Sequence, residues 1–293
     1  MLLRYWYRNI LSYKEDNMSY LKSFSVTLCR LLRSPLTWIS SILLVIRYIF
    51  DAAGPDSWIE KSFANGWNTQ FYNASTYKVY WFFFPIAFAV IVAADYIKDH
   101  KNRFACILRV SSGNKINMFL GRITAYITFG FIITFIGMYL GFAVYCITFG
   151  PSFSKGYGFL DVMARMFVHF ISYSSSMVPF YTAFTLLFTA IFKSGLFGIV
   201  SMIIFNIAGL FTDFLSPTRF EMESMVEYLV PFARYFYPVH GAPYAIEIYL
   251  YAQDHPKEVG AVGFEHFATA FLCVTLCAVL MFIASYQFEK RFE

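Results

Sequence analysis

From about Ile116 to about Thr148 the chain is apolar and, apart from Arg122, uncharged. A helix over that stretch, rising 1.5 Å per residue, exceeds the roughly 30 Å hydrocarbon core of a bilayer. Its first turns, with Arg122, are therefore expected to project beyond the membrane. Shorter apolar runs recur at about 36–53, 78–97, 163–192, 195–211 and 264–286. A chain that is 58% hydrophobic and only 14% charged lacks the polar residues to cover so many buried helices, since soluble domains carry roughly 25% charge. The sequence predicts an all-α polytopic membrane protein, one transmembrane domain over residues 1–293 with six spans.

The loop between the second and third runs fixes the orientation. Lys98, Lys101, Arg103, Arg109 and Lys115 stand there against Asp99, and short loops with that bias face the cytoplasm. Six spans then put both termini in the cytoplasm, and the expected location is a cell membrane. The outer segment 212–263 agrees in charge, with Arg219, Arg234 and Lys257 against seven acids. Within the basic loop, Phe104, Ile107 and Leu108 share one helical face opposite Arg103. Such a short amphipathic helix suits either docking to a soluble partner or lying on the membrane surface.

Two further segments flank the spans. In the lead-in 1–35, Leu21, Phe24, Val26, Leu28, Leu31 and Leu32 form the apolar face of an expected amphipathic helix in the membrane interface. Ser34-Pro35 should end it, because proline disfavours helix in the residue before it and suits a helix's first turn. Before the last span, Tyr228 to Pro243 is too aromatic for a solvated loop and too broken by proline to span, so a re-entrant or interfacial hairpin is expected.

The intramembrane polar groups are few. Arg47 either snorkels to the far headgroups or faces a polar cavity. The hydroxyls of the fourth run, Ser174 among them, either line a watery path or bond back to their own helix. Asn206 has the same two readings as a pathway group or a helix–helix hydrogen bond. Asp95 is the only acid near a span centre by sequence, and it lies at the cytoplasmic edge of the second.

Chemistry is conspicuous by its absence. The sequence has no G-x-x-x-x-G-K-[ST], H-E-x-x-H or G-x-S-x-G motif. His240, Glu247, His255 and His266 match no helical ligand spacing, so no metal site is expected. The five cysteines read as small buried hydrophobes. The basic residues follow the topology and form no nucleic-acid patch. No enzyme is predicted.

The layout resembles the membrane subunit of type-2 ABC exporters. The resemblance rests on the lead-in Leu28-Cys-Arg-Leu-Leu-Arg-Ser-Pro-Leu-Thr-Trp-Ile39 and on Leu108-Arg-Val-Ser-Ser-Gly113 before the third span. Leu187-Phe-Thr-Ala-Ile-Phe-Lys-Ser-Gly195, the aromatic hairpin and the tail Phe288-Glu-Lys-Arg291 add to it. It implies a permease that works as a homo- or heterodimer with a second permease chain, among membrane lipids. A separate cytoplasmic ATPase would hold the ATP and magnesium, and the permease itself no cofactor. The resemblance makes Phe104 to Val110 the coupling helix, with Arg103, Phe104, Ile107, Leu108 and Arg109 at the ATPase. Arg47, Ser174 and Asn206 become candidates for the translocation pathway. The substrate expected is an amphipathic peptide, a drug or a lipid-like molecule. The competing expectation is a non-transporting immunity or sensor protein that binds a peptide at its outer face.

Overall fold

The computed structural model describes residues 19–53, 83–101, 115–149, 159–214 and 264–290. These form seven α-helices and no strand: α1 Ser19–Arg33, α2 Pro35–Ala53, α3 Phe84–Lys101, α4 Lys115–Phe149, α5 Phe159–Phe192, α6 Gly195–Phe214 and α7 Phe264–Lys290. The amphipathic segment around Phe104 to Val110 and the aromatic hairpin lie outside the described residues.

α3 is the central helix. Phe84, Phe88, Ala89, Val92, Ala93 and Tyr96 are all buried, and a helix enclosed on every side can afford an apolar surface all round. α4 and α5 close on it with Ile123, Tyr126 and Phe129 from one and Val178, Tyr181 and Leu186 from the other. Rings fill the seams. Phe84 stacks on Phe88 at 5.2 Å and meets Tyr181 at 6.2 Å. α6 packs on α3 and α5, α7 on α5, and α1 and α2 on α4.

The elbow between α1 and α2 bends by 71°, and local chemistry explains it. Ser34 caps α2: its hydroxyl accepts the Thr37 N–H at 3.5 Å, and Pro35 takes the first helical position, where no donor is lost. The Ser34 N–H returns to the Leu31 carbonyl at 3.2 Å, and the Trp38 indole N–H donates to the Leu32 carbonyl at 2.7 Å. Carbonyls left open at the end of α1 are thereby satisfied.

α1 lies against α4 with almost no gap. A Cβ on Gly121 would stand 2.4 Å from the Tyr20 carbonyl oxygen and 2.9 Å from Ser23 Cβ. Only glycine allows this crossing. Beside it the Ser23 hydroxyl donates to the Met118 carbonyl at 2.7 Å. At the turn from α5 to α6, Lys193 adopts a positive φ of 50° and the Ser194 N–H bonds the Thr189 carbonyl at 3.3 Å. That is a Schellman closure with lysine where glycine is usual.

Among the described residues three helices are long and apolar enough to cross a membrane, within Lys115–Gly141, Ser174–Phe192 and Phe271–Lys290. The bent pair α1–α2 makes a fourth if it counts as one span, and α6 is apolar but shorter. α3 falls outside the set because its second half carries Asp95, Lys98, Asp99 and Lys101. The outer faces of α2, α6 and α7 expose large side chains, Leu43, Leu196 and Leu280 among them, each above 60%. Lipid tails suit such faces far better than water. The described residues are all helical, with three or four apolar candidate spans among them.

Candidate functional site

The most distinctive chemistry lies where α1, α3, α4 and α7 meet at one end of the bundle. Asp95 and Asp99 are one turn apart on α3, so their carboxylates share a face. Arg30 of α1 reaches both. Its Nε and Nη2 hold the two oxygens of Asp95 at 2.7 and 2.6 Å, and its Nη1 holds Asp99 Oδ1 at 2.5 Å. Arg122 of α4 continues the chain of charges, with Nη1 3.3 Å from Asp99 Oδ2 and Nη2 hydrogen-bonded to Glu289 Oε1 of α7.

Two tyrosines complete the cluster. The Tyr126 hydroxyl donates to Asp95 Oδ2 at 2.8 Å, and the Tyr96 hydroxyl to Glu289 Oε2 at 3.3 Å. The Arg122 guanidinium also lies over the Tyr96 and Phe119 rings, at 5.6 and 5.9 Å, where the ring faces attract a cation. The Arg30 side chain keeps 19% exposure and the other four charged side chains 5% or less. These are buried ion pairs, whose desolvation offsets much of their attraction. Their value lies in geometry: the planar fork of arginine donates to two carboxylates only in set orientations, so the four helix ends are fixed in register.

The cluster is built as a clamp. Arginine stays charged and cannot act as a base, and each carboxylate is already engaged by a guanidinium. Among the described residues no three His, Cys, Asp or Glu side chains are grouped to hold a metal ion. Arg122 is 4% exposed within the cluster, where Asp99 and Glu289 hold it. Asp95 is joined by Asp99 and Glu289, the latter read in the sequence only as part of a tail.

The residues singled out from the sequence are scattered. Arg103, Phe104, Ile107, Leu108 and Arg109 lie outside the described residues. Ser174 is buried on α5, its hydroxyl 3.3 Å from that of Thr134 on α4. Asn206 is buried on α6 and donates to its own helix at the Met202 carbonyl, 2.8 Å away. Arg47 of α2 has its guanidinium 4.8 Å from the centre of the Phe83 ring, at the start of α3 and so at the end of that helix away from the clamp.

Arg30 escaped the sequence reading, although a signal existed. Ser23, Thr27 and Arg30 recur at helical spacing, and Ser23 and Thr27 are buried. A polar stripe on an amphipathic helix can face inward when its partner helix carries acids. No protein-family model, curated protein or solved structure matches this chain.

Proposed function

We propose that this chain is the membrane-spanning permease subunit of an ATP-driven exporter. The observation that carries the reading is the clamp: Arg30 and Arg122 tie four helix ends together beside the connection 102–114. A push on that connection would move α1, α3, α4 and α7 as one body. An amphipathic lead-in helix held to the spans by ion pairs is what a driven subunit needs. α2, α3, α4, α5, α6 and α7 then make six spans, with the clamp and both termini at the cytoplasmic face.

In this mechanism two permease chains enclose the path and alternate between inward- and outward-open forms. A separate ATPase supplies the work through Arg103, Phe104, Ile107, Leu108 and Arg109. α3 can serve as a span despite its charges because Arg30 and Arg122 neutralise Asp95 and Asp99. The cargo would be an amphipathic peptide, drug or lipid-like molecule, with Arg47, Ser174 and Asn206 at the path.

The test is purification of the tagged chain in mild detergent, followed by a vanadate-sensitive ATPase assay of the eluate. An ATPase should co-purify with the wild type and be lost when Phe104, Ile107 and Leu108 are changed to Asp. A clean single chain in every detergent tried would sink the reading and turn attention to the outer segment 212–263.

A further inference from the structure

α1 turns two adjoining stripes away from the bundle. One is apolar, with Leu21 61% and Leu32 40% exposed. The other is cationic: Lys22, half-buried, and Arg33, exposed, lie about three turns apart, which returns them to one side of the helix. α1 contains no Asp or Glu, and its remaining cation, Arg30, is committed inward to Asp95 and Asp99. Neither Lys22 nor Arg33 pairs with a carboxylate among the described residues.

Past the elbow the surface continues as apolar. Leu36, Trp38, Ile39 and Ile42 of α2 are all exposed. Trp38 has its indole N–H bonded back to the Leu32 carbonyl at 2.7 Å, so its exposed ring needs no hydrogen-bond partner from solvent. A bilayer matches both halves of this surface, with hydrocarbon for the α2 row and phosphate for the α1 cations. Tryptophan is at home at that boundary.

We propose that the α1–α2 elbow binds anionic phospholipid. Lys22 and Arg33 take the headgroup phosphates, while Leu32, Trp38 and Ile39 lie against the acyl chains. The charge pattern selects anionic over zwitterionic lipid, because two cations that pair with no carboxylate among the described residues face the headgroup layer. Each is worth roughly fivefold in affinity for an anionic surface, and together on the order of twentyfold. The inference needs only that the chain sits in a membrane and is independent of any transport role.

The experiment uses the full chain with Trp38 as its sole tryptophan, after changing Trp6, Trp58, Trp67 and Trp81 to Phe. The protein is placed in phosphatidylcholine nanodiscs containing brominated phosphatidylglycerol or brominated phosphatidylcholine, and Trp38 fluorescence is read. Half-quenching should need on the order of twentyfold less brominated phosphatidylglycerol than brominated phosphatidylcholine, and Lys22→Gln with Arg33→Gln should erase the difference. Equal quenching by the two lipids in the parent protein would overturn the proposal. So would no quenching by either, which would assign the elbow to a protein partner.

A second readout needs no tryptophan changes. Phosphatidylglycerol added to the detergent-solubilised wild type should raise its Tm more than phosphatidylcholine does, and the Lys22→Gln, Arg33→Gln variant should lose that advantage. Equal shifts in the wild type would also overturn the assignment. Neither readout involves an ATPase, so these outcomes are separate from the fate of the permease reading.

Discussion

Arg30 and Asp95 meet edge to edge: two nitrogens of one guanidinium hold both oxygens of one carboxylate at 2.7 and 2.6 Å, across helices that are 65 residues apart in sequence. Removing the arginine leaves Asp95 to the Tyr126 hydroxyl and takes the nearer of two guanidinium groups from Asp99. Arg30→Ala should destabilise the protein by about 3 kcal/mol, the scale for breaking a buried pair. Arg30→Lys should recover part of that loss, because a point charge cannot satisfy both carboxylates. Thermal unfolding in detergent reads both, and equal stability of wild type and Arg30→Ala would show that the clamp contributes nothing.

Arg122 and Glu289 should be energetically coupled. Arg122→Met leaves Asp99 and Glu289 without that guanidinium, and Glu289→Leu leaves the arginine short of one acid. Either single change should cost on the order of 2–4 kcal/mol, and the double variant less than their sum. A double-mutant cycle of unfolding free energies tests this. Strict additivity would mean that the two side chains do not act as a pair.

The crossing of α1 over α4 depends on Gly121. Gly121→Ala would push a methyl group to within 2.4 Å of a backbone oxygen, and neither helix backbone can yield cheaply. The expected loss is about 1–3 kcal/mol, typical of overpacking. Amide exchange should rise in α1 more than in α5. A uniform rise across all helices would place the strain elsewhere.

Lys193 offers a change in the opposite direction. Its positive φ of 50° is a conformation that costs side-chain-bearing residues roughly 1–2 kcal/mol and glycine almost nothing. Lys193→Gly should raise stability by about 0.5–1 kcal/mol, with Lys193→Asn between the two. A fall in Tm for the glycine variant would contradict the Schellman geometry.

The sequence made the helices legible because membrane insertion and packing both demand long apolar runs, and those are visible residue by residue. The break at Ser34-Pro35 was equally legible, since cap and proline act on their immediate neighbours. The clamp was not. Asp95 looked like an isolated edge acid, and Arg30 and Glu289 looked like ordinary surface charges, because their meaning depends on helices that adjoin only after folding. Periodicity places a residue on a face of its own helix; it does not name the helix opposite. Gly121 was hidden for the same reason, as nothing in its own neighbourhood announces that another backbone will cross there.

The enclosure of α3 has a consequence for how the protein is made. This helix bears two acids at one end, and its counter-charges arrive from both directions along the chain. Arg30 is synthesised before it, Arg122 after it, and Glu289, which steadies Arg122, comes last of the five. At the moment α3 leaves the ribosome, only the first of these arginines exists to neutralise it. The order of synthesis therefore makes α1 a waiting partner, already able to meet Asp95 and Asp99 before α4 is complete. Variants at Arg30 should accordingly be lost early, during insertion, whereas variants at Glu289 should insert normally and fail only when the finished bundle closes.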